Sequence, residues 1–327
     1  THVLGDDSKN DKLVYEEADD SFYMGISRTR SEQYICISVH STVSTEQRCA
    51  LASDPTEFKV LAKRVRDFEY AADHLNGRWV IRTNWKAPNY KLMTLNESAN
   101  IGKRDTWQEF IAHKDDVFIE GFELFNDFIA IEERSNALLR IRTLSNSGKV
   151  EFVASDEAAY TMGLNINACP DTSWLRYSYT SLTTPGSVYE INTQTGERKL
   201  LKRDPVLGDF NADEYVTERQ WAIARDGTKI PVSIVYKKGF KKDGSAALLQ
   251  YAYGSYGLSS DPYFSVVNVS LLDRGMVYAI AHIRGGQEMG RAWYDNGKLL
   301  NKINTFTDYI DVTRFLVREG YAKQDRA

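Results

Sequence analysis

A recurring pair of aromatic-led runs constrains the fold of the first two thirds of this chain more than any other feature. Each pair holds two short runs rich in aromatic and β-branched residues, and successive pairs start 46, 50 and 42 residues apart. The pairs are FYMGIS and YICISV, FEYAAD and WVIRTN, FIEGFE and FIAIEE, and YTMGLN and WLRYSYT. A further alternating run follows each pair, and turn sequences such as SNSGK and TQTGER close these runs. Repeats of this length with several strands per unit are typical of β-propeller blades.

The repeat therefore predicts a partial β-propeller over residues 1–205, with about four four-stranded blades. A β-sandwich is the alternative, because its strands also follow one another at short intervals. The regular unit length favours the propeller. Because repeat units need neighbours to bury their faces, we expect sequence outside this chain to complete the ring.

Residues 206–327 have a different pattern, which predicts the first part of an α/β domain. A hairpin is expected around Asp226-Gly227, because Asp-Gly between two alternating runs is a strong turn sequence. AALLQYAY and MVYAIAHI are apolar enough to be buried strands. Helices are expected in FSVVNVSLLDRG, ended by Gly275, and in INTFTDYIDVTRFLVREGY, capped by Asn304 or Thr305 and stopped by Gly320.

Composition excludes several classes of function. The formal net charge is −4 and no basic block occurs, which argues against nucleic acid as a partner. The apolar runs are too short to span a bilayer, so no membrane partner is expected. The amino terminus has no signal-peptide pattern and reads like the middle of a longer chain. Three widely spaced cysteines without C-x-x-C predict neither a disulfide framework nor a zinc site, and favour a reducing cytosol.

The motifs of common catalytic sites are missing from the chain. No G-x-S-x-G nucleophile elbow occurs, although an α/β domain after a propeller suggests a hydrolase. His282 is the only histidine after residue 113, and its place inside a strand favours a structural role. RGGQEMG is glycine-rich but matches neither nucleotide-binding pattern. The residues alone therefore assign neither a Ser/His/Asp triad nor a cofactor site.

The motifs YAYGSYG, SLLDRG, HIRGGQEMG and IARDGTKIPVS resemble the prolyl oligopeptidase family, and within it the oligopeptidase B group. The resemblance extends along the whole chain. It implies a cytoplasmic serine peptidase in which a seven-bladed propeller covers an α/β-hydrolase domain, with no cofactor and no metal. Its partners would be short peptides with basic residues, cleaved after Arg or Lys, and the remainder of the same polypeptide. In the family the triad would lie beyond Ala327, so the resemblance implies that this chain alone is inactive.

The same resemblance assigns roles to four residues around YAYGSYG. Tyr253 matches the tyrosine whose hydroxyl donates to the oxyanion of the tetrahedral intermediate. Tyr256 matches an aromatic that lines the primary specificity pocket in prolyl-specific relatives. Asp261 matches the first of two loop aspartates that bind a basic residue next to the scissile one. Tyr263 replaces the second aspartate, which puts a strong dibasic preference in doubt, although its ring could stack on a cation.

Two other readings stay open at this stage. The chain could belong to a propeller binding module with a degenerate hydrolase remnant, or to a prolyl- or acylaminoacyl-directed member of the same family. For Asp261, which precedes a proline, a turn-initiating role competes with substrate binding. For Tyr256, ordinary packing is the alternative.

Overall fold

The computed structural model describes residues 1–97 and 101–327. The chain divides into two compact units, residues 1–113 and 114–327.

The first unit contains two antiparallel sheets of four strands, in which each strand pairs with the next along the chain. Aromatic side chains that begin the alternating runs fill its core, where the ring of Tyr34 packs on Trp79. The strands of the two sheets are β1 (Tyr23–Arg28), β2 (Tyr34–His40), β3 (Thr45–Leu51) and β4 (Asp54–Val60), then β5 (Tyr70–Leu75), β6 (Arg78–Thr83), β7 (Lys91–Asn96) and β8 (Gln108–Ile111).

The second unit begins with two more sheets of the same design. Their core holds the stacked rings of Phe125 and Phe128 together with Leu175 and Tyr177. Four successive four-stranded sheets confirm the predicted propeller blades and exclude the sandwich. The strands are β9 (Phe118–Leu124), β10 (Phe128–Ser135), β11 (Leu138–Ser145) and β12 (Val150–Phe152), then β13 (Tyr160–Leu164), β14 (Trp174–Ser181), β15 (Ser187–Asn192) and β16 (Arg198–Arg203).

The α/β part of the second unit contains one mixed sheet in the order β17-β18-β20-β19. The predicted hairpin joins β17 to β18 through Gly227, whose φ of 85° suits glycine. β19 runs parallel to β20, as expected for the start of an α/β sheet. The strands are β17 (Tyr215–Ile223), β18 (Lys229–Lys237), β19 (Leu248–Tyr251) and β20 (Val277–Ala281).

Three α-helices accompany this sheet: α1 (Val266–Leu272), α2 (Arg291–Asp295) and α3 (Ile303–Arg318). Gly275 follows α1 and Gly320 follows α3, both with positive φ, as predicted. The predicted cap of α3 is wrong, because Lys302 precedes the helix and Asn304 and Thr305 lie in its first turn. The Thr305 hydroxyl donates to the carbonyl of Arg284 instead. Single 3-10 turns occur at Ser8–Asn10, Arg104–Thr106, Ala212–Glu214, Leu299–Asn301 and Gln324–Arg326.

β19 is less buried than its apolar sequence predicts. β20 is buried at every position, whereas Leu249 and Tyr251 of β19 are exposed. β19 is an edge strand of the sheet, and Leu249 and Tyr251 lie on one face of it, where they line an open cavity. On α3, Val312 and Leu316 face the core and Phe315 packs partly buried against it, whereas Ile303, Phe306, Tyr309 and Ile310 of its predicted face are exposed.

The expectation of unpaired cysteines is wrong for two of the three. Cys36 on β2 and Cys49 on β3 lie directly opposite each other and form a disulfide, while Cys169 is free and exposed. Wide spacing in sequence concealed the pair, because antiparallel pairing brings residues 13 positions apart into register. The cytoplasmic expectation therefore rests on the family resemblance and no longer on the cysteines.

None of the helices in the described ranges combines the length and the apolar character that crossing a bilayer requires.

Candidate functional site

The segment that joins β19 to α1, residues 252–265, carries all four predicted site residues, and we call it the tyrosine loop. Three of the four, Tyr253, Asp261 and Tyr263, line one open cavity of about 560 Å³. A volume of this size suits a peptide side chain or a small ligand. Tyr256 lies outside the lining of this cavity.

Tyr253 stands two residues after the end of β19, so its backbone leaves a regular strand just before the ring. The residue is 45% exposed, and within the described ranges its hydroxyl has no hydrogen-bond partner. A phenol in this position can donate a hydrogen bond to a group bound in the cavity.

The backbone after Tyr253 is held tightly. Gly254 has a φ of 63°, and a Cβ atom there would lie 2.6 Å from Thr305 and 2.8 Å from Ile283. Lys302 donates from Nζ to the Gly254 carbonyl at 2.5 Å and to the Ser255 hydroxyl at 2.7 Å. Only glycine fits at position 254, and the close packing fixes the backbone beside Tyr253.

The turn after Gly254 presents Tyr256 to solvent. The Gly257 N–H donates to the carbonyl of Gly285 at 3.0 Å, which ties the turn to the segment after β20. Tyr256 has a φ of 57° and is 82% exposed. A left-handed conformation at an aromatic residue is uncommon and is retained where the surroundings impose it.

Asp261 is bound by an arginine from the propeller part of the same unit. Arg134 on β10 donates to both carboxylate oxygens, from Nη1 at 2.5 Å and from Nη2 at 3.1 Å. Its Nε donates to Glu120 on β9 at 3.0 Å. Burial opposes the charge of Arg134, yet these two carboxylates raise its pKa above the ordinary value. The bidentate ion pair thus joins the tyrosine loop to β10, and Glu120 on β9 holds the same arginine.

Two further contacts hold the same part of the loop. The buried Glu288 accepts a hydrogen bond from the Ser260 N–H at 2.8 Å, and burial raises the pKa of Glu288 to about 7. The Phe264 N–H donates to the Thr180 hydroxyl of β14 at 3.1 Å. Elements from both the α/β part and the propeller part therefore position the loop.

His282 has the structural role that its place in the sequence suggests. The ring is fully buried, and its Nε2 lies 2.8 Å from the Ser233 hydroxyl. Burial holds the pKa of His282 well below its usual range, so the ring is neutral at pH 7. Arg219 donates to the same Ser233 hydroxyl at 3.1 Å.

Sequence reasoning missed Arg134, Glu120, Glu288 and Lys302. A recognisable pattern exists for Arg134, because FIAIEERS places four consecutive polar residues at the end of an apolar strand, and the last three, Glu133, Arg134 and Ser135, are buried. Buried charges need partners, so such a strand predicts ion pairs to neighbouring elements. The partner itself, 127 residues away, is not predictable from the pattern.

Comparison with known families identifies both parts of the chain. Residues 1–204 match the model described as prolyl oligopeptidase, N-terminal beta-propeller domain, and residues 262–327 match the prolyl oligopeptidase family model. The chain belongs to the prolyl oligopeptidase family.

Named members of the prolyl oligopeptidase family align along almost the whole chain. Dipeptidyl aminopeptidase BI of Pseudoxanthomonas mexicana is 62% identical over 99% of the chain and 45% of its own length. Protease 2 of Moraxella lacunata is 33% identical over 98% of the chain and 46% of its own length. The structure of oligopeptidase B from Leishmania major matches with a TM-score of 0.90 and 31% identity, over 99% of this chain and 47% of that one.

The chain spans about half the length of these members of the prolyl oligopeptidase family. Its fold is therefore that of a propeller-like domain followed by the start of a hydrolase domain. In the described part of the chain, no group of three His, Cys, Asp or Glu side chains is arranged to hold a metal ion.

Proposed function

We propose that the full-length gene product is a serine peptidase that hydrolyses short peptides after Arg or Lys through an acyl-enzyme. The observation that carries this proposal is the single cavity lined by Tyr253, Asp261 and Tyr263. A hydrogen-bond donor, a carboxylate and an aromatic ring around one cavity suit a peptide with a cationic side chain. Membership of the prolyl oligopeptidase family supports the peptidase chemistry.

In this proposal Tyr253 donates its hydroxyl to the oxyanion of the tetrahedral intermediate. The contacts of Gly254 to Lys302, Thr305 and Ile283 hold the backbone before reaction, so little reorganisation is needed when charge develops. The nucleophile and its base would lie in sequence beyond this chain, since no G-x-S-x-G elbow occurs within it. We therefore expect this 327-residue chain alone to hydrolyse no peptide above background.

The other three predicted site residues of the tyrosine loop, Tyr256, Asp261 and Tyr263, would bind substrate. Asp261 would attract a cationic group of the residue next to the scissile one, weakly, because Arg134 already binds both its oxygens. Tyr263 is 61% exposed at the same cavity and would stack on that group. Tyr256 would contact the scissile residue from outside the cavity lining, which makes its role the least constrained of the three.

A second candidate function is removal of dipeptides from a free amino terminus. It is favoured by the 62% identity to a protein named dipeptidyl aminopeptidase BI. The chemistry overlaps with the first candidate, because a free α-ammonium is also a cation that a carboxylate such as Asp261 can bind. The two candidates differ in whether a blocked amino terminus is tolerated.

Fluorogenic peptide amides separate these candidates. The full-length gene product is assayed with dipeptides that end in Arg, Lys, Pro or Ala, each with a free or a blocked amino terminus. We expect Arg and Lys to exceed Pro and Ala by at least about tenfold in kcat/KM, as charge recognition at a pocket typically achieves. Cleavage of blocked peptides supports an endopeptidase, and loss of cleavage on blocking supports a dipeptidyl aminopeptidase.

A serine-directed fluorophosphonate tests the enzyme against a binding module. We expect stoichiometric labelling of the full-length gene product and none of the 327-residue chain. No labelling and no hydrolysis by the full-length gene product would favour a propeller binding module with an inactive hydrolase remnant. Preference for Pro would place the protein with the prolyl-directed members.

A further inference from the structure

We propose that Arg134 is a specificity-determining residue, which competes with a cationic group of the peptide for Asp261. This inference rests on the proposed peptidase function, and it concerns how strongly the cavity selects a second basic group beside the scissile residue. Its central observation is that Asp261 faces the cavity while Arg134 binds both of its oxygens from behind.

The carboxylate of Asp261 is accessible, whereas its partner is not. The Asp261 side chain is 21% exposed and lines the cavity, and the Arg134 side chain is 4% exposed and does not line it. A cation in the cavity therefore approaches Asp261 from the open side. It meets a carboxylate whose charge is largely compensated by the bidentate guanidinium.

Arg134 is fixed in this position from the propeller side. A β-bulge between β9 and β10 lies at Glu132/Glu133, opposite Glu120, and shifts the register there by one residue. Bulges redirect side chains, and Glu120 reaches the Nε of Arg134 at 3.0 Å. Because a buried guanidinium without partners is strongly disfavoured, Arg134 stays with its two carboxylates when the cavity is empty.

The charges around Asp261 leave the site close to balance. Glu120 and Asp261 supply two negative charges and Arg134 one positive charge, so the trio is singly negative. Arg219, Glu132 and Glu288 also interact electrostatically with Asp261. Burial raises the pKa values of both Glu132 and Glu288 above their ordinary range. Removal of Arg134 would double the negative charge of the trio and leave it open to a peptide cation.

Substitution of Arg134 by methionine tests the competition directly. The readout is the ratio of kcat/KM for Arg-Arg over Ala-Arg amides, measured with the full-length gene product. Both amides carry whichever amino terminus, free or blocked, the wild-type gene product accepts. This ratio is independent of the fraction of enzyme that is active. We expect Arg134→Met to raise the ratio by about tenfold, because a released carboxylate gains the full attraction of the cation.

Asp261→Asn provides the second half of the test. Alone it should lower the wild-type ratio only a few-fold, because the carboxylate is already paired. In the Arg134→Met background it should remove the whole gain. An effect of Arg134→Met that survives in the double variant would overturn the assignment to Asp261, since the two substitutions would then act independently.

Three further variants make the result specific. Arg134→Lys keeps the charge but loses the bidentate geometry, so the ratio should rise, by less than in Arg134→Met. Arg140→Met removes an arginine that pairs with Glu133 on β10 and not with Asp261, so the ratio should not change. Arg134→Gln serves as the replacement where the methionine variant does not fold. It keeps an amide donor for the carboxylates of Glu120 and Asp261 but removes the charge, so it should also raise the ratio.

The outcomes distinguish the two levels of the proposal. Absence of hydrolysis by the wild-type gene product would refute the proposed function. Normal hydrolysis with an unchanged or lowered ratio in both Arg134→Met and Arg134→Gln would refute the competition alone.

Discussion

Lys302, the residue before α3, donates a hydrogen bond to the carbonyl of Gly254, with 2.5 Å between Nζ and the oxygen. The same ammonium donates to the Ser255 hydroxyl, so one side chain holds two consecutive residues of the tyrosine loop. Burial lowers the pKa of Lys302 below its ordinary value. Lys302 does not cap α3 with its side chain. It connects the start of α3 to the backbone beside Tyr253 instead.

Lys302→Met should remove both hydrogen bonds to the tyrosine loop and leave the backbone beside Tyr253 less constrained. In the full-length gene product we expect kcat on peptide amides to fall several-fold, with a smaller change in KM, because the loop positions Tyr253 for the transition state. Lys298→Met is the matched control, since Lys298 pairs with Asp295 and not with the loop. Equal losses in both variants would refute a positioning role for Lys302.

Gly254→Ala should destabilise the protein through two separable effects. A left-handed φ costs a non-glycine residue about 1–2 kcal/mol, and the added Cβ atom would also clash with Thr305 and Ile283. Gly275→Ala isolates the first effect, because its φ is 81° and no atom lies within 4 Å of the added Cβ. Chemical denaturation should therefore show a clearly larger loss for Gly254→Ala. Similar losses would mean that the loop shifts to accommodate the methyl group.

The Cys36–Cys49 disulfide predicts a defined thiol count. The 327-residue chain, denatured without reductant, should expose one maleimide-reactive thiol, that of Cys169. After reduction it should expose three. Closure of a loop of this size stabilises by roughly 3 kcal/mol in the chain-entropy model, so reduction should lower the midpoint of unfolding. Cys169→Ser should leave that midpoint unchanged. Three reactive thiols before reduction would contradict the disulfide.

Sequence periodicity was sufficient for the blades, because each aromatic-led run forms a strand and, except in the fully exposed β1, apolar residues of that strand lie in a local core. The strand-helix-strand order of the α/β part was predictable for the same reason. What the pattern could not supply were pairings between distant segments, such as Arg134 with Asp261 or Cys36 with Cys49. The exposure of Leu249 and Tyr251 on β19 also depends on what covers that face of the strand, and single-segment hydropathy carries no such information.

Glu288 predicts a pH dependence of stability. Its pKa rises on folding from 4.5 to about 7, so between these values the folded protein keeps a proton that the unfolded chain has lost. The free energy of unfolding should therefore fall as pH rises through this window, by on the order of 3 kcal/mol in total. Among the charged neighbours, Arg134 lowers this pKa and Asp261 raises it.

Glu288→Gln keeps an acceptor for the Ser260 N–H and removes the titration. The stability of Glu288→Gln relative to wild type should increase from pH 5 to pH 8, measured by denaturant unfolding at each pH. Glu319→Gln, at an exposed helix end, serves as the control and should show a constant difference. A constant difference for Glu288→Gln as well would contradict the buried titration.

Tyr253→Phe tests the proposed oxyanion donor, because it keeps the ring and removes only the hydroxyl. If the hydroxyl donates in the transition state, kcat on peptide amides should fall by about 10²–10³ with little change in KM. Single-turnover measurements on amides are preferred, since deacylation or product release can hide the loss on activated substrates. Thermal stability should hardly change, because the hydroxyl has no partner within the described part of the protein.

Tyr251→Phe supplies the comparison for this last prediction. Tyr251 lies at the end of β19, lines the same cavity and is similarly exposed, so it shares the surroundings of Tyr253 without the proposed role. Its variant should retain nearly the full single-turnover rate. Equal losses at the two positions would assign the effect to the polarity of the cavity. A Tyr253→Phe variant with wild-type rates would show that the ring acts by packing alone, and the oxyanion donor would then have to come from another residue.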